Sequence, residues 1–290
     1  MKKKMTAGHV IIVAVLVLLA ILSIYPLWYT LIVSFSDKAY VNSGQVWFWP
    51  KGFNLTSYQK LMKDTRFFGS FLVSVERTVI GLSMNLVMMI ITSYPLCLPD
   101  GRFRLAKYYK WFFLANMLFA GGLVPSYVLM GQYHLFDSIW ALILPGAVNL
   151  WNVIYLMNFF RNVPYELNEA ATVDGATPVQ IMMKIYVPLS KASLACLLLF
   201  QFVGHWNSWF DGLLYINDTA KQPLQTYIYQ ITSYINMKLL SPEQIKEALK
   251  LSNRTLSSAK VITAMVPILA IYPLMQKYFI SGMTLGGVKG

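Results

Sequence analysis

The chain has 290 residues, of which 57% are hydrophobic and only 12% charged, and its mean hydropathy is +0.52. A soluble domain carries about 25% charged residues, so these values exclude an ordinary soluble enzyme and place the chain among polytopic membrane proteins. The formal net charge of +12 sits mostly in loops and forms no basic stripe, so it reads as membrane topology rather than nucleic-acid binding.

Lys2, Lys3 and Lys4 precede an uncharged run that is too long for a signal peptide and lacks a small-x-small cleavage site. It is read as a first span over 10–36, with the lysines cytoplasmic. An outer loop follows over 37–69, carrying Trp47, Trp49 and Pro50. The second span covers 70–98. Glu76 and Arg77 near its outer end are neighbours that do not face each other on a helix; both can snorkel to the interface, with a pore-mouth or partner contact as the other reading. Arg102, Arg104, Lys107 and Lys110 crowd the next turn, a positive-inside signal.

The third span covers 106–130, with Gly121, Gly122 and Pro125 breaking its outer half. After a short outer turn ending at Asp137, the fourth span covers 138–160. It places Pro145, Asn149 and Asn152 near one face, as interhelical glue or as cavity lining.

Residues 161–188 form the one long polar interruption on the inner side. Pro164 suits a first helical position, and Glu166 and Glu169 lie near that helix's positive end. Gly175 can take the left-handed conformation that stops it. Thr177-Pro178-Val179-Gln180 starts a second helix with a capping box, and Pro188 is expected to interrupt it. Ala170 and Ala171 would let the backbone approach a partner's groove closely, with Glu169 and Asp174 setting register. A solvated loop between two spans is the other reading of these residues.

The fifth span covers 189–216. Gln201, Gly204, His205, Ser208 and Asp211 recur at three- and four-residue steps and share a face. Trp206, Asn207 and Trp209 accompany them. Ionisable groups at such depth face a water-filled cavity or the bundle interior; an outer aromatic belt with a packed His205 is the alternative. A second outer loop covers 217–257, with a capped helix expected from Ser241 to Lys250. The sixth span covers 259–280, with Pro267 and Pro273 inside it. Cys97 and Cys196 both fall in apolar segments and read as buried small side chains, not as a disulfide or metal pair.

The 24 Lys and Arg divide evenly between the two sides. The short 99–110 turn and the N-terminal lysines therefore decide the orientation, with both termini cytoplasmic. No G-x-x-x-x-G-K-[ST] loop occurs, so the chain is no ATPase. His9, His134 and His205 are too dispersed for an H-E-x-x-H metal site, and no G-x-S-x-G elbow or catalytic carboxylate pair is present. A transporter driven by an ion gradient would need repeats and midplane carboxylates. No convincing repeat is visible, and Asp211 lies towards an outer end.

Glu169-Ala170-Ala171, Gly175, and then Ile185-Tyr186-Val187-Pro188 after nine more residues resemble the EAA loop of ABC-importer permeases. Val187 stands where that family usually has Leu. Leu118 to Tyr127, His205 to Phe210 and the Gly286 to Gly290 tail extend the resemblance over nearly the whole chain. It is nearest to maltose-permease-like carbohydrate permeases, in the subgroup for complex oligosaccharides such as alginate- or pectin-derived chains.

The resemblance implies an all-α fold of six transmembrane helices, the type I importer (MetI-like) permease fold, in a bacterial cytoplasmic membrane. It implies that 161–188 is a coupling loop docking into an ATPase. Glu166, Glu169, Ala170, Ala171, Asp174, Gly175, Ile185 and Pro188 would make that dock, and Gly287 and Lys289 of the tail would reach the ATPases. It implies Gln201, His205, Trp206, Asn207, Ser208, Trp209, Asp211, Asn149 and Asn152 along the substrate pathway. The implied partners are a second, different permease chain, two ATPases carrying ATP and Mg²⁺, an extracytoplasmic solute-binding protein and membrane lipid. No nucleic acid, and no cofactor bound by this chain, is expected.

Overall fold

The computed structural model describes residues 7–99, 101–119, 121–233 and 254–287, and regular structure among them is helical throughout. Three helices are long and apolar enough to cross a membrane, or up to six if each bent pair counts as one span. Lys289 and the expected helix from Ser241 to Lys250 lie outside the described residues. The chain divides into two compact units, Met1–Phe68 with Ile228–Val266 and Gly69–Tyr227 with Pro267–Gly290.

In the first unit, α1 (Ala7–Ser34) is apolar on all sides. None of its most hydrophobic window is buried within the chain, as expected of a helix facing lipid. At 1.5 Å per residue its 28 residues reach about 42 Å, more than the hydrocarbon core needs. The loop after it folds back on its end. Trp28 donates its indole N–H to the Phe48 carbonyl at 2.9 Å and meets Trp49 edge-on. Two short helices follow, α2 (Lys38–Asn42), capped by Asp37, and α3 (Thr56–Met62). Within this unit Lys260 pairs with Asp64 at 2.5 Å, and Arg66 donates to the Gln230 side chain at 3.1 Å.

The second unit is organised on α4 (Thr65–Cys97). One face of α4 carries Ser74, Arg77, Asn85 and Ser93, all buried. These polar side chains serve a physical need. The helices around α4 are broken, and freed backbone groups inside a membrane must find partners in protein.

The third span is two helices, α5 (Ala106–Leu118) and α6 (Leu123–Gln132), separated where Gly122 takes φ +84°. The fourth is α7 (Ile139–Ile143), a 3₁₀ turn over Leu144–Gly146, and α8 (Leu150–Arg161), bent by 46°. Pro145 cannot donate to the helix ladder there. Asn85 donates its side-chain N–H groups to the Gly146 and Ala147 carbonyls at 2.7 and 2.9 Å. Ser93 donates to the Val153 carbonyl at 2.9 Å, and the Leu224 N–H donates to Ser74 Oγ at 2.8 Å.

The polar stretch expected over 161–188 folds as α9 (Tyr165–Val173), α10 (Pro178–Ile181), a π turn (Met182–Tyr186) and α11 (Val187–Leu189). Pro164 sits one place before the helix, as its cap, and Gly175 has φ +79°. The capping box of Thr177 and Gln180 is present in both directions. Pro188 does not interrupt the chain as expected. The π turn before it widens the helix, so the ring is accommodated. The break falls at Ser190, where the axis turns by 82° into α12 (Lys191–Asn207).

The fifth span breaks again before α13 (Phe210–Tyr215). α14 (Leu224–Ser233), which sequence periodicity does not single out, and α15 (Arg254–Gly287) complete the described helices. Gly287 is the last residue of α15. Cys97 is buried and Cys196 half-buried, and both are free thiols.

Candidate functional site: an anchored elbow and a polar cavity

The elbow has two faces. Asn168 points inward and is buried, donating its amide towards Tyr186 Oη at 3.3 Å and Tyr94 Oη at 3.5 Å. The two rings pack edge-on at 5.1 Å, and Phe160 closes on Tyr186 at 5.5 Å. Ala171, Ala176 and Ile185 pack against the same buried cluster, which includes Met89, Leu156, Ile181 and Leu197. The opposite face is open. Glu166, Glu169, Ala170, Asp174 and Gly175 are exposed, beside Val173 at 87% and Val179 at 65% exposure.

The two central alanines therefore differ. Ala170 is on the open face, whereas Ala171 is half-buried against the core. Ile185, packed against that cluster, and Pro188 are both half-buried. Asn168 carries no local sequence signal, because its role depends on tyrosines 74 positions earlier and 18 later.

The second site is a cavity of about 300 Å³ whose lining includes Arg77, Asn149, Gln201, His205, Ser208 and Asp211. The polar stripe of the fifth span thus faces one cavity, joined by Asn149 from the fourth. Trp206 turns away; it is buried edge-on against Phe71 at 5.5 Å. Asn207 is exposed, Trp209 half-buried and Asn152 buried, and none of the three lines the cavity. Asn149 caps α8, accepting the Asn152 N–H at 3.1 Å.

Arg77 does not snorkel. Its side chain is 3% exposed and forms a two-pronged pair with Asp211, 25% exposed. It also donates to the Ser208 carbonyl at 3.3 Å, at the break between α12 and α13, and to the Leu142 carbonyl at 3.4 Å, in α7. A guanidinium with five fixed donors suits a point where several interrupted helices meet. Asp211 also accepts from Ser208 Oγ at 2.8 Å and from the Gly212 N–H at 2.9 Å.

His205 is held equally firmly. Its Nε2 lies 2.7 Å from Asn85 Oδ1. Asn85 spends both amide hydrogens on carbonyls, so its oxygen must accept and His205 Nε2 carries the proton. The ring lies across Gly81, where an added Cβ would come within 2.6 Å of His205 Cε1. Among the described residues no group of three or more His, Cys, Asp or Glu could hold a metal ion.

In the turn before α7, Asp137 takes φ +57° and accepts the N–H groups of Asn217 and Asp218 at 2.6 and 2.7 Å. Those two bonds, led by that from Asp218, hold its carboxyl below the ordinary value of 3.8.

Comparison with known proteins fits this geometry. Residues 67–285 match the family described as "Binding-protein-dependent transport system inner membrane component". Protein LplC of Bacillus subtilis (strain 168) is 36% identical, over 93% of this chain and 90% of that protein. The polygalacturonan/rhamnogalacturonan transport system permease protein YtcP of the same organism is 34% identical, over 95% and 96%. A crystal structure of a bacterial ABC transporter involved in the import of the acidic polysaccharide alginate superposes with a TM-score of 0.84 at 27% identity. The match covers 94% of this chain and 96% of that one. The chain therefore belongs to the binding-protein-dependent transport system inner membrane components and has the fold of an ABC-importer permease.

Proposed function

We propose that this chain is one of two different permease subunits of an ATP-driven importer, and forms half of the pathway for an oligosaccharide or polysaccharide fragment. An acidic chain, of the alginate or polygalacturonan kind named for its relatives, is the substrate class that fits best. ATP and Mg²⁺ belong to two separate ATPase subunits, and this chain does no hydrolysis. A solute-binding protein delivers sugar to the outer loops, around 37–69 and 217–257. Both termini and the 161–188 loop face the cytoplasm, and the tail with Gly287 and Lys289 reaches the ATPases.

The observation that carries the reading is the two-faced elbow. Its exposed acidic and small residues suit docking, while Asn168 and Ala171 fix it to the core. When the ATPases close, the dock moves as one piece with α4 and the elbow's own second helix. ATP achieves this only by favouring one state over the other. Gln201, His205, Ser208, Asp211 and Asn149 then line the path that switches sides. Trp206, Asn207, Trp209 and Asn152 support the same helices without lining the cavity in this state.

The test is uptake by the reconstituted importer. Transport of uronate oligosaccharides should require ATP and the binding protein. Uptake that persists without ATP on a proton or sodium gradient would return the ion-driven reading to first place.

A further inference from the structure

A larger cavity lies away from both sites, at the turn before α5. It measures about 510 Å³, within the ~300–1,000 Å³ range of small-ligand sites. Its walls include Phe103, Arg104, Lys107, Lys110, Trp111 and Leu114. Lys107 and Lys110 stand three residues apart on α5, and Arg104 joins them from the turn before it. None of the three makes a hydrogen bond or ion pair to any described residue. Asp100, the acidic residue of this turn, lies outside the described residues.

Below the cations the wall becomes apolar. There Trp111 is 63% and Leu114 42% exposed, a surface suited to acyl chains. A cluster of cations over an aromatic ring and then aliphatic surface is the order of groups met on passing from headgroup to hydrocarbon.

We propose that this cavity binds the phosphate of an anionic membrane phospholipid, such as phosphatidylglycerol or cardiolipin. Arg104, Lys107 and Lys110 hold the phosphate and Trp111 lies beside the glycerol backbone. Arg104 supplies the forked donors and the two lysines supply point charges. The apolar wall favours a lipid over free phosphate. This rests on the reading that the 99–110 turn ends a membrane span, and is independent of which sugar is carried.

The test uses the assembled importer purified in mild detergent and examined by native mass spectrometry. Added short-chain phosphatidylglycerol should be retained, phosphatidylcholine should not, and inorganic phosphate at millimolar level should not displace the lipid. Changing Arg104, Lys107 and Lys110 together to Gln should lower retention at least tenfold with the complex intact, and changing Lys107 and Lys110 to Arg should preserve it. If the triple variant does not assemble, Lys107→Gln alone carries the test and should lose retention several-fold. Equal retention by wild type and Gln variants would overturn the proposal, as would displacement by inorganic phosphate. So would loss of only the second permease from an otherwise folded chain, which would make this face a protein contact. Co-purification of the ATPase, scored on the same samples, separates failure here from failure of the importer reading.

Discussion

Arg77 and Asp211 stand 134 positions apart in the chain and form one buried ion pair at the point where the breaks of the fourth and fifth spans meet. The pair is asymmetric. Removing Asp211 strands a cation that is 3% exposed, whereas removing Arg77 leaves a carboxylate that is 25% exposed. Breaking a buried pair by removing one partner costs about 3–5 kcal/mol, whereas replacing both with apolar groups can be neutral. Asp211→Leu should therefore fall in that range and exceed Arg77→Met. The double variant should be more stable than Asp211→Leu alone. Thermal unfolding in detergent measures this, and simple additivity of the two losses would contradict it.

Asn168 ties the elbow to Tyr186 and, at longer range, to Tyr94. A net hydrogen bond contributes about 0.5–1.5 kcal/mol. With two such bonds at stake, Asn168→Ala should cost about 1–2 kcal/mol, Tyr186→Phe less and Tyr94→Phe least. Uptake per ATP hydrolysed should fall in the same order, because a loosened elbow moves without its helices. Retained coupling in Asn168→Ala, measured with the assembled importer, would remove the latch from the mechanism.

Gly81 lets α4 approach the His205 ring closely. Small residues permit such contacts between membrane helices. Gly81→Ala should displace the ring from Asn85 and cost about 1–3 kcal/mol, as overpacking does. Adding His205→Ala should recover part of the loss. A thermal-shift comparison of the single and double variants decides between rescue and further loss.

The turn before α7 should respond to acid. Asp137 has a folded-state pKa held below its ordinary value by two backbone N–H groups. Its contribution is therefore complete above the ordinary value, and fades as pH falls through the lowered folded value. Asp137→Asn should weaken the clasp on Asn217 and Asp218 and remove this part of the acid dependence. Asn tolerates the positive φ of this position, so the turn itself should persist. Hydrogen exchange at those two amides, followed from neutral to acid pH, is the check.

Local signals are the legible part of this chain. Thr177 and Gln180 can be paired because a capping box is fixed by neighbours, and Gly175 because a left-handed residue has few candidates. The stripe is visible from Gln201 to His205 because helical period places those residues on one face; Ser208 and Asp211 reach the same cavity across the break after Asn207, which that period does not foresee. What each residue meets across the bundle is not legible. Arg77 reads as an interface residue, since its partner lies far off in sequence. Asn85 draws no notice, and its role exists only because Pro145 and Gly146 interrupt another helix. Trp206 reads with its polar neighbours, but helical rotation carries it onto Phe71. Pro188 reads as a break because a π turn cannot be foreseen from a proline alone.

The central claim is that the exposed face of the elbow docks an ATPase, and co-purification tests it most directly. Wild type and Glu169→Lys would be isolated from cells expressing all the proposed subunits. Glu169 is exposed, so the substitution should leave the fold intact. The ATPase should come down with wild type and be lost with the variant, while the second permease remains with both. If no ATPase accompanies wild type, or if the variant retains it in full, the elbow is an ordinary loop and the docking claim fails.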